Sequence, residues 1–207
     1  MNDVAFSPDG TRLLTTGDDG AARLWDPATS RLVWELVTTG HVWAPTFSGD
    51  GTRMAASWED EGVVRVVDVA TGAAVGELRS VPRPFTTALT HDGRHIVVTG
   101  DIDNGADVYD VATGALVRSI DPGGRTALEV DISPDGQWLA TSGLDGRARI
   151  WSMADGRWRS TLFGSAQIGD VDWSGDGSRL VVGGDDGIAR VFEVGEVTAT
   201  REVIRLS

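Results

Sequence analysis

Apolar and polar residues alternate along this chain in short runs, and the runs recur. From Asp131 to Ser152 the sequence reads DISPDGQWLATSGLDGRARIWS. Val130 with Ile132, then Trp138-Leu139-Ala140, then Ala148 and Ile150 leading into Trp151, are β-type segments of a few residues each. Turn chemistry separates them. In Ser133-Pro134-Asp135-Gly136, Pro presets φ near −65°, Asp tolerates the next position and Gly takes the left-handed one. In Leu144-Asp145-Gly146, Asp-Gly supports the positive φ of a tight hairpin. The stretch predicts three antiparallel strands with one apolar face, and such a unit needs neighbours to cover it.

The neighbours are copies of the same pattern. Turn aspartates stand at Asp9, Asp50, Asp92, Asp135 and Asp176, each followed by Gly, with steps of 41, 42, 43 and 41. At the place of Trp151 the chain carries Trp25, Val67, Tyr109, Trp151 and Phe192, with steps of 42, 42, 42 and 41. Six residues before each comes an acid: Asp19, Glu61, Asp103, Asp145 and Asp186. Two independent landmarks on one period predict a stacked repeat, and about 42 residues per repeat suit a four-stranded propeller blade.

The units FSPDGTRLLTTGDDGAARLWD, from Phe6, and ISPDGQWLATSGLDGRARIWS, from Ile132, resemble the WD-repeat (WD40) family. The resemblance covers nearly the whole chain and is sharpest in units 1 and 4. It implies a β-propeller, usually of seven blades, used as a docking platform for other proteins. The family also uses a buried network of His, Ser or Thr, Asp and the strand-c Trp. No unit here has the full set, because the one Gly-His, Gly40-His41, belongs to the unit with Glu61 and Val67. Apolar packing is therefore expected to carry the blades.

The fold class expected is all-β: a single domain over 1–207, with five four-stranded antiparallel blades near 1–38, 43–80, 85–122, 128–164 and 169–207. In unit 1, strands a to d fall at Asp3–Phe6, Leu13–Thr15, Ala22–Trp25 and Arg31–Leu36. Inner strands of later units are expected to open at Ala44, Thr86, Val130 and Val171. Five blades without a shared closing strand also raise the expectation of an incomplete arc of a seven-bladed propeller, completed by additional blades, of tight closure into a strained five-blade ring, or of self-association.

Composition narrows the chemistry. The chain has no Cys and no Lys, and its 18 basic residues are all Arg. No thiolate nucleophile, disulfide, P-loop lysine or Schiff base can be built from it. Arg without Lys is the usual look of a GC-rich bacterial coding sequence. A net charge of −13 argues against a nucleic-acid partner. No apolar run of about eighteen residues suits a membrane helix, and a cytoplasmic location is expected. The Asp101–Asp107 stretch fails calcium-loop spacing at Gly105, and His91 and His95 share no helix face, so neither metal nor cofactor is expected.

Candidate sites lie in the connections. Asp18, Glu59, Asp60 and Asp185 join the structural acids in the b–c turns and suggest an acidic rim for a basic or Arg-rich protein partner. Trp43, Trp58, Arg83 and Phe85 are candidate anchors at the same face. Asp19, Trp25, Asp103, Tyr109, Asp145, Trp151, Asp186 and Phe192 are structural repeat positions. No nucleophile, base and stabiliser come together, so the function expected is a non-enzymatic scaffold for protein–protein interaction. Two alternatives stand beside it. One is a regulatory or sensing module of a larger bacterial signalling protein. The other is an enzyme or small-ligand binder using the central channel, with inner-strand carboxylates such as Asp131 and Asp172.

Overall fold

The computed structural model describes residues 1–79, 84–100, 105–121, 127–163, 167–194 and 201–206. The regular elements of these residues are strands. Blade 1 holds β1 (Asp3–Phe6), β2 (Leu13–Thr16), β3 (Ala21–Asp26) and β4 (Arg31–Val37). Blade 2 holds β5 (Val42–Phe47), β6 (Arg53–Trp58), β7 (Val63–Asp68) and β8 (Ala74–Arg79). Blade 3 holds β9 (Pro84–Leu89), β10 (His95–Gly100), β11 (Ala106–Asp110) and β12 (Leu116–Ile120). Blade 4 holds β13 (Ala127–Ile132), β14 (Trp138–Gly143), β15 (Arg147–Ser152) and β16 (Trp158–Phe163). Blade 5 holds β17 (Ile168–Trp173), β18 (Arg179–Gly184), β19 (Ala189–Glu193) and β20 (Arg201–Leu206). Each blade is a four-stranded sheet in sequence order.

The inner strands begin earlier than the sequence pattern suggests, at Val42, Pro84, Ala127 and Ile168. The reason is a register shift in each, between Trp43 and Thr46, opposite Val98 and Gly100, between Ala127 and Val130, and between Ile168 and Asp170. A bulge breaks the two-residue period while pairing continues beyond it.

The a–b turns are held by more than Pro and Gly. Ser133 Oγ donates to Asp135 Oδ1 at 2.6 Å, and the same carboxylate accepts the Gln137 N–H at 3.0 Å. Ser7 with Asp9, Ser48 with Asp50, Thr90 with Asp92 and Ser174 with Asp176 repeat the bond. The repeating Asp is thus an acceptor for its own turn. Its Gly closes the turn, as Gly136 does at φ 70° while its N–H reaches the Ser133 carbonyl at 2.8 Å.

The chain divides into two compact units. The first is Met1–Ile102 with Val108–Val117, and the second is Asp103–Asp107 with Arg118–Ser207. Each has its core between blades. In the first, Leu14, Ala22 and Leu24 of blade 1 meet Met54, Trp58 and Val67 of blade 2. Ala55, Val64 and Val66 of blade 2 meet Leu89, Ile96 and Val98 of blade 3. In the second, Ala140, Ala148 and Ile150 of blade 4 meet Val171, Leu180, Val182 and Phe192 of blade 5. Within each unit, one face of a blade therefore packs into the opposite face of the next.

Candidate functional site

The site begins with the b–c connections of blades 1 and 2, which are short because Gly closes each turn and strands β2–β3 and β6–β7 pair to their ends. Asp18 and Asp60 project from them and are exposed. Between the two lies His41, from the connection that leads into β5. Its backbone N–H donates to Asp60 Oδ2 at 3.1 Å, and its Nδ1 lies 3.1 Å from the same oxygen. Its Nε2 is 3.7 Å from Asp18 Oδ1, and that oxygen accepts the Asn2 side-chain amide at 2.7 Å. Gly40 is required here: it sits at φ 90°, and a Cβ on it would run into the Asp60 carboxylate. Glu59, partly exposed, anchors the arrangement through its N–H to the His41 carbonyl at 3.1 Å. His41 thus belongs to a surface cluster and not to a buried network.

Two residues beyond His41 stands Trp43, exposed at 37%, and at the corresponding place on β9 stands Phe85, exposed at 60%. Thr87 Oγ1 donates to the Ala44 carbonyl at 2.8 Å and ties the two inner strands beside these aromatics. Ala44 itself has φ 52°, the left-handed value that a side chain tolerates poorly. The bulge there turns Trp43 outward.

Trp58 does not join them. It is fully buried, with its Nε1 3.4 Å from the Gly20 carbonyl and the Arg65 guanidinium 4.7 Å over its ring. As the last residue of β6 it points between blades 1 and 2, so it is a core residue and not a docking anchor. Arg83 and Asp103 lie outside the described residues. Asp185 is exposed on the second unit, its N–H bonded to the Gln167 carbonyl at 2.9 Å.

The repeat positions show what their acids do. Asp145 and Arg149 form a bidentate pair, with bonds of 2.6 and 3.2 Å. Asp186 pairs with Arg190 at 2.6 Å, Asp19 with Arg23 at 2.8 Å and Glu61 with Arg65. These arginines hold the carboxyls of Asp19, Glu61 and Asp145 below the usual carboxylate range. Apolar packing is therefore not the blades' sole support: a cation from strand c takes the place of the missing His. The arginines were legible as an Arg two residues before the strand-c landmark in every unit but the third, which has Asp107. Trp25 and Trp151 keep the other half of the network, their Nε1 donating to Thr15 and Thr141 at 2.9 and 3.0 Å. Phe192 is buried, and Tyr109 partly so.

Asp131 and Asp172 occupy matching places on β13 and β17. Burial, with Asp172 alongside, pushes the Asp131 carboxyl up to about 7. Asp131 is nevertheless committed to structure: Oδ2 accepts the Trp173 N–H and Oδ1 the Ile132 N–H, both at 2.8 Å. Among the described residues no group of three or more His, Asp or Glu side chains is arranged to hold a metal ion.

Antiparallel blades packed face to face define a β-propeller. The chain superposes on the β-propeller domain of Cps50 (Swd1) from Myceliophteria thermophila with a TM-score of 0.87, over 99% of this chain and 72% of that one, at 16% identity. The model of the WD domain, G-beta repeat (WD40), matches residues 1–26, 113–152 and 156–193, about half of the chain. The chain belongs to the WD40 family. It is also 69% identical to Protein HIR1 of Eremothecium gossypii over 26 residues, which are 13% of this chain and 3% of that protein's length.

Proposed function

We propose that the chain is a non-enzymatic protein-interaction scaffold that docks a basic, Arg-rich segment on the loop face of blades 1 to 3. The carrying observation is the exposed pair Trp43 and Phe85 on tied inner strands, beside the exposed carboxylates of Asp18 and Asp60. An arginine plane stacks on aromatic faces for about 0.5–2 kcal/mol, while the carboxylates steer it in and accept its N–H groups. The net charge of −13 favours the same sign of partner.

The test is a binding titration with an Arg-rich peptide and a Glu-rich peptide of equal length. The expected result is binding of the first only, weakening as salt shortens the screening length below about 10 Å. Charge reversal of Asp18, Glu59 and Asp60 together is expected to abolish it. Unchanged affinity after that reversal means that the rim serves only solvation, and the reading fails.

A further inference from the structure

The b–c end of blade 4 breaks the pattern of the acidic rim. Immediately before the repeat acid, blades 1, 2 and 5 carry Asp18, Asp60 and Asp185, whereas blade 4 carries Leu144. Two residues after the repeat acid the same three blades carry Ala21, Val63 and Ile188, whereas blade 4 carries Arg147. An acid is replaced by an apolar residue at one place, and an apolar residue by a base at the other. Both side chains reach solvent: Leu144 is exposed at 46%, and Arg147 is exposed as well.

Phe163, exposed at 63%, completes the group. It ends β16 directly opposite Arg147, which opens β15, and the guanidinium carbon lies 5.4 Å from the centre of the phenyl ring. That contact orients the cation without neutralising it. The neighbouring carboxylate, Asp145, is already engaged by Arg149 through bonds of 2.6 and 3.2 Å. Among the described residues Arg147 forms no salt bridge. Leu144 follows the last residue of β14, so the three residues stand at the ends of adjacent strands in the order Leu144, Arg147, Phe163. Strands in a sheet lie about 4.8 Å apart, which spaces the outer two by about 10 Å with the cation between them.

We propose that this end of blade 4 docks an amphipathic helix of a partner protein whose binding face carries one Asp or Glu between two large apolar side chains. Charge complementarity sets the central residue, because a carboxylate pairs with the guanidinium that Phe163 orients. Spacing sets the other two. A helix rises about 1.5 Å per residue, so about seven residues span the same 10 Å. Apolar residues at i and i+7 then fall on Leu144 and Phe163, and an acid at i+3 or i+4 falls on Arg147, all on one helical face. A polyacidic segment does not fit, since the site offers one cation on a chain of net charge −13. This is a second surface, with a preference opposite to that of the acidic rim of blades 1 and 2.

The test is fluorescence anisotropy of a labelled, hydrocarbon-stapled Ala/Gln helix with Leu at i and i+7 and Glu at i+4, titrated with the whole chain. Saturable binding is expected, and replacing the peptide's Glu by Gln is expected to weaken it about tenfold. Arg147→Glu is expected to lose the Glu peptide and to bind instead a peptide with Arg in place of that Glu. Leu144→Asp gives blade 4 the residue that blades 1, 2 and 5 already carry there, so the turn is kept while binding is expected to weaken about tenfold. Arg147→Gln is a milder second variant with the same expected loss. Charge reversal of Asp18, Glu59 and Asp60 is expected to leave this peptide's affinity unchanged, which separates the surface from the acidic rim. The proposal is overturned if the Glu peptide does not bind, if its affinity survives Arg147→Glu or Leu144→Asp, if the charge-swapped pair fails to bind, or if binding is lost with the rim reversal instead.

Discussion

The acid–arginine pair recurs at four blades in different surroundings, which makes it an internal experiment on burial. In blade 4 the side chains of Arg149 and Asp145 are 12% and 11% exposed, while in blade 1 those of Arg23 and Asp19 are 29% and 55% exposed. Asp145→Ala strands the Arg149 guanidinium in a nearly dry site. Breaking a fully buried pair costs about 3–5 kcal/mol, and the residual solvent here lowers that to about 2–3 kcal/mol. Asp19→Ala leaves Arg23 hydrated and still 3.1 Å from Glu35, so its loss should lie near the limit of detection. Urea melts of dilute protein, read as midpoint times slope, measure both. The double variant Asp145→Leu with Arg149→Met removes the stranded charge and should recover most of the loss. Asp145 is held below its ordinary range, so its contribution is present at neutral pH and fades as acid protonates it. Equal losses at Asp19 and Asp145, or no recovery in the double variant, refute the reasoning that burial sets the energy of this pair.

Burial sets three further predictions. Trp58→Ala should cost about 3–5 kcal/mol in a thermal melt, because it empties a site between blades 1 and 2. Trp43→Ala should change stability by no more than about 0.5 kcal/mol, yet weaken binding of an Arg-rich peptide. The folded chain holds on Asp131 a proton that an unfolded Asp releases, as burial lifts its carboxyl from 3.8 to about 7. Stability should therefore fall as pH rises through that window, and Asp131→Asn should flatten the fall by about 1–3 kcal/mol in urea melts at successive pH values.

The strands and turns of this protein were legible because they rest on short-range chemistry. Pro134, Asp135 and Gly136 specify a turn wherever they occur, and the alternation around Leu139 and Ile150 specifies which face is apolar. A fivefold repeat of those local signals was enough to identify the architecture. The bulges were not legible, since an extra residue opposite Ala56 changes pairing without changing composition. Trp43 and Trp58 look alike in sequence, both aromatic and both at strand ends. Tertiary structure separated them: the bulge at Ala44 turns one to solvent, while the other faces a neighbouring blade. The meeting of His41 with Asp18 and Asp60 depended on two connections far apart in the chain arriving at one place. Local sequence sets what each blade is. Only the stacking of blades, which brings together residues some forty positions apart, decides which side chains are buried, which are paired and which remain free to bind.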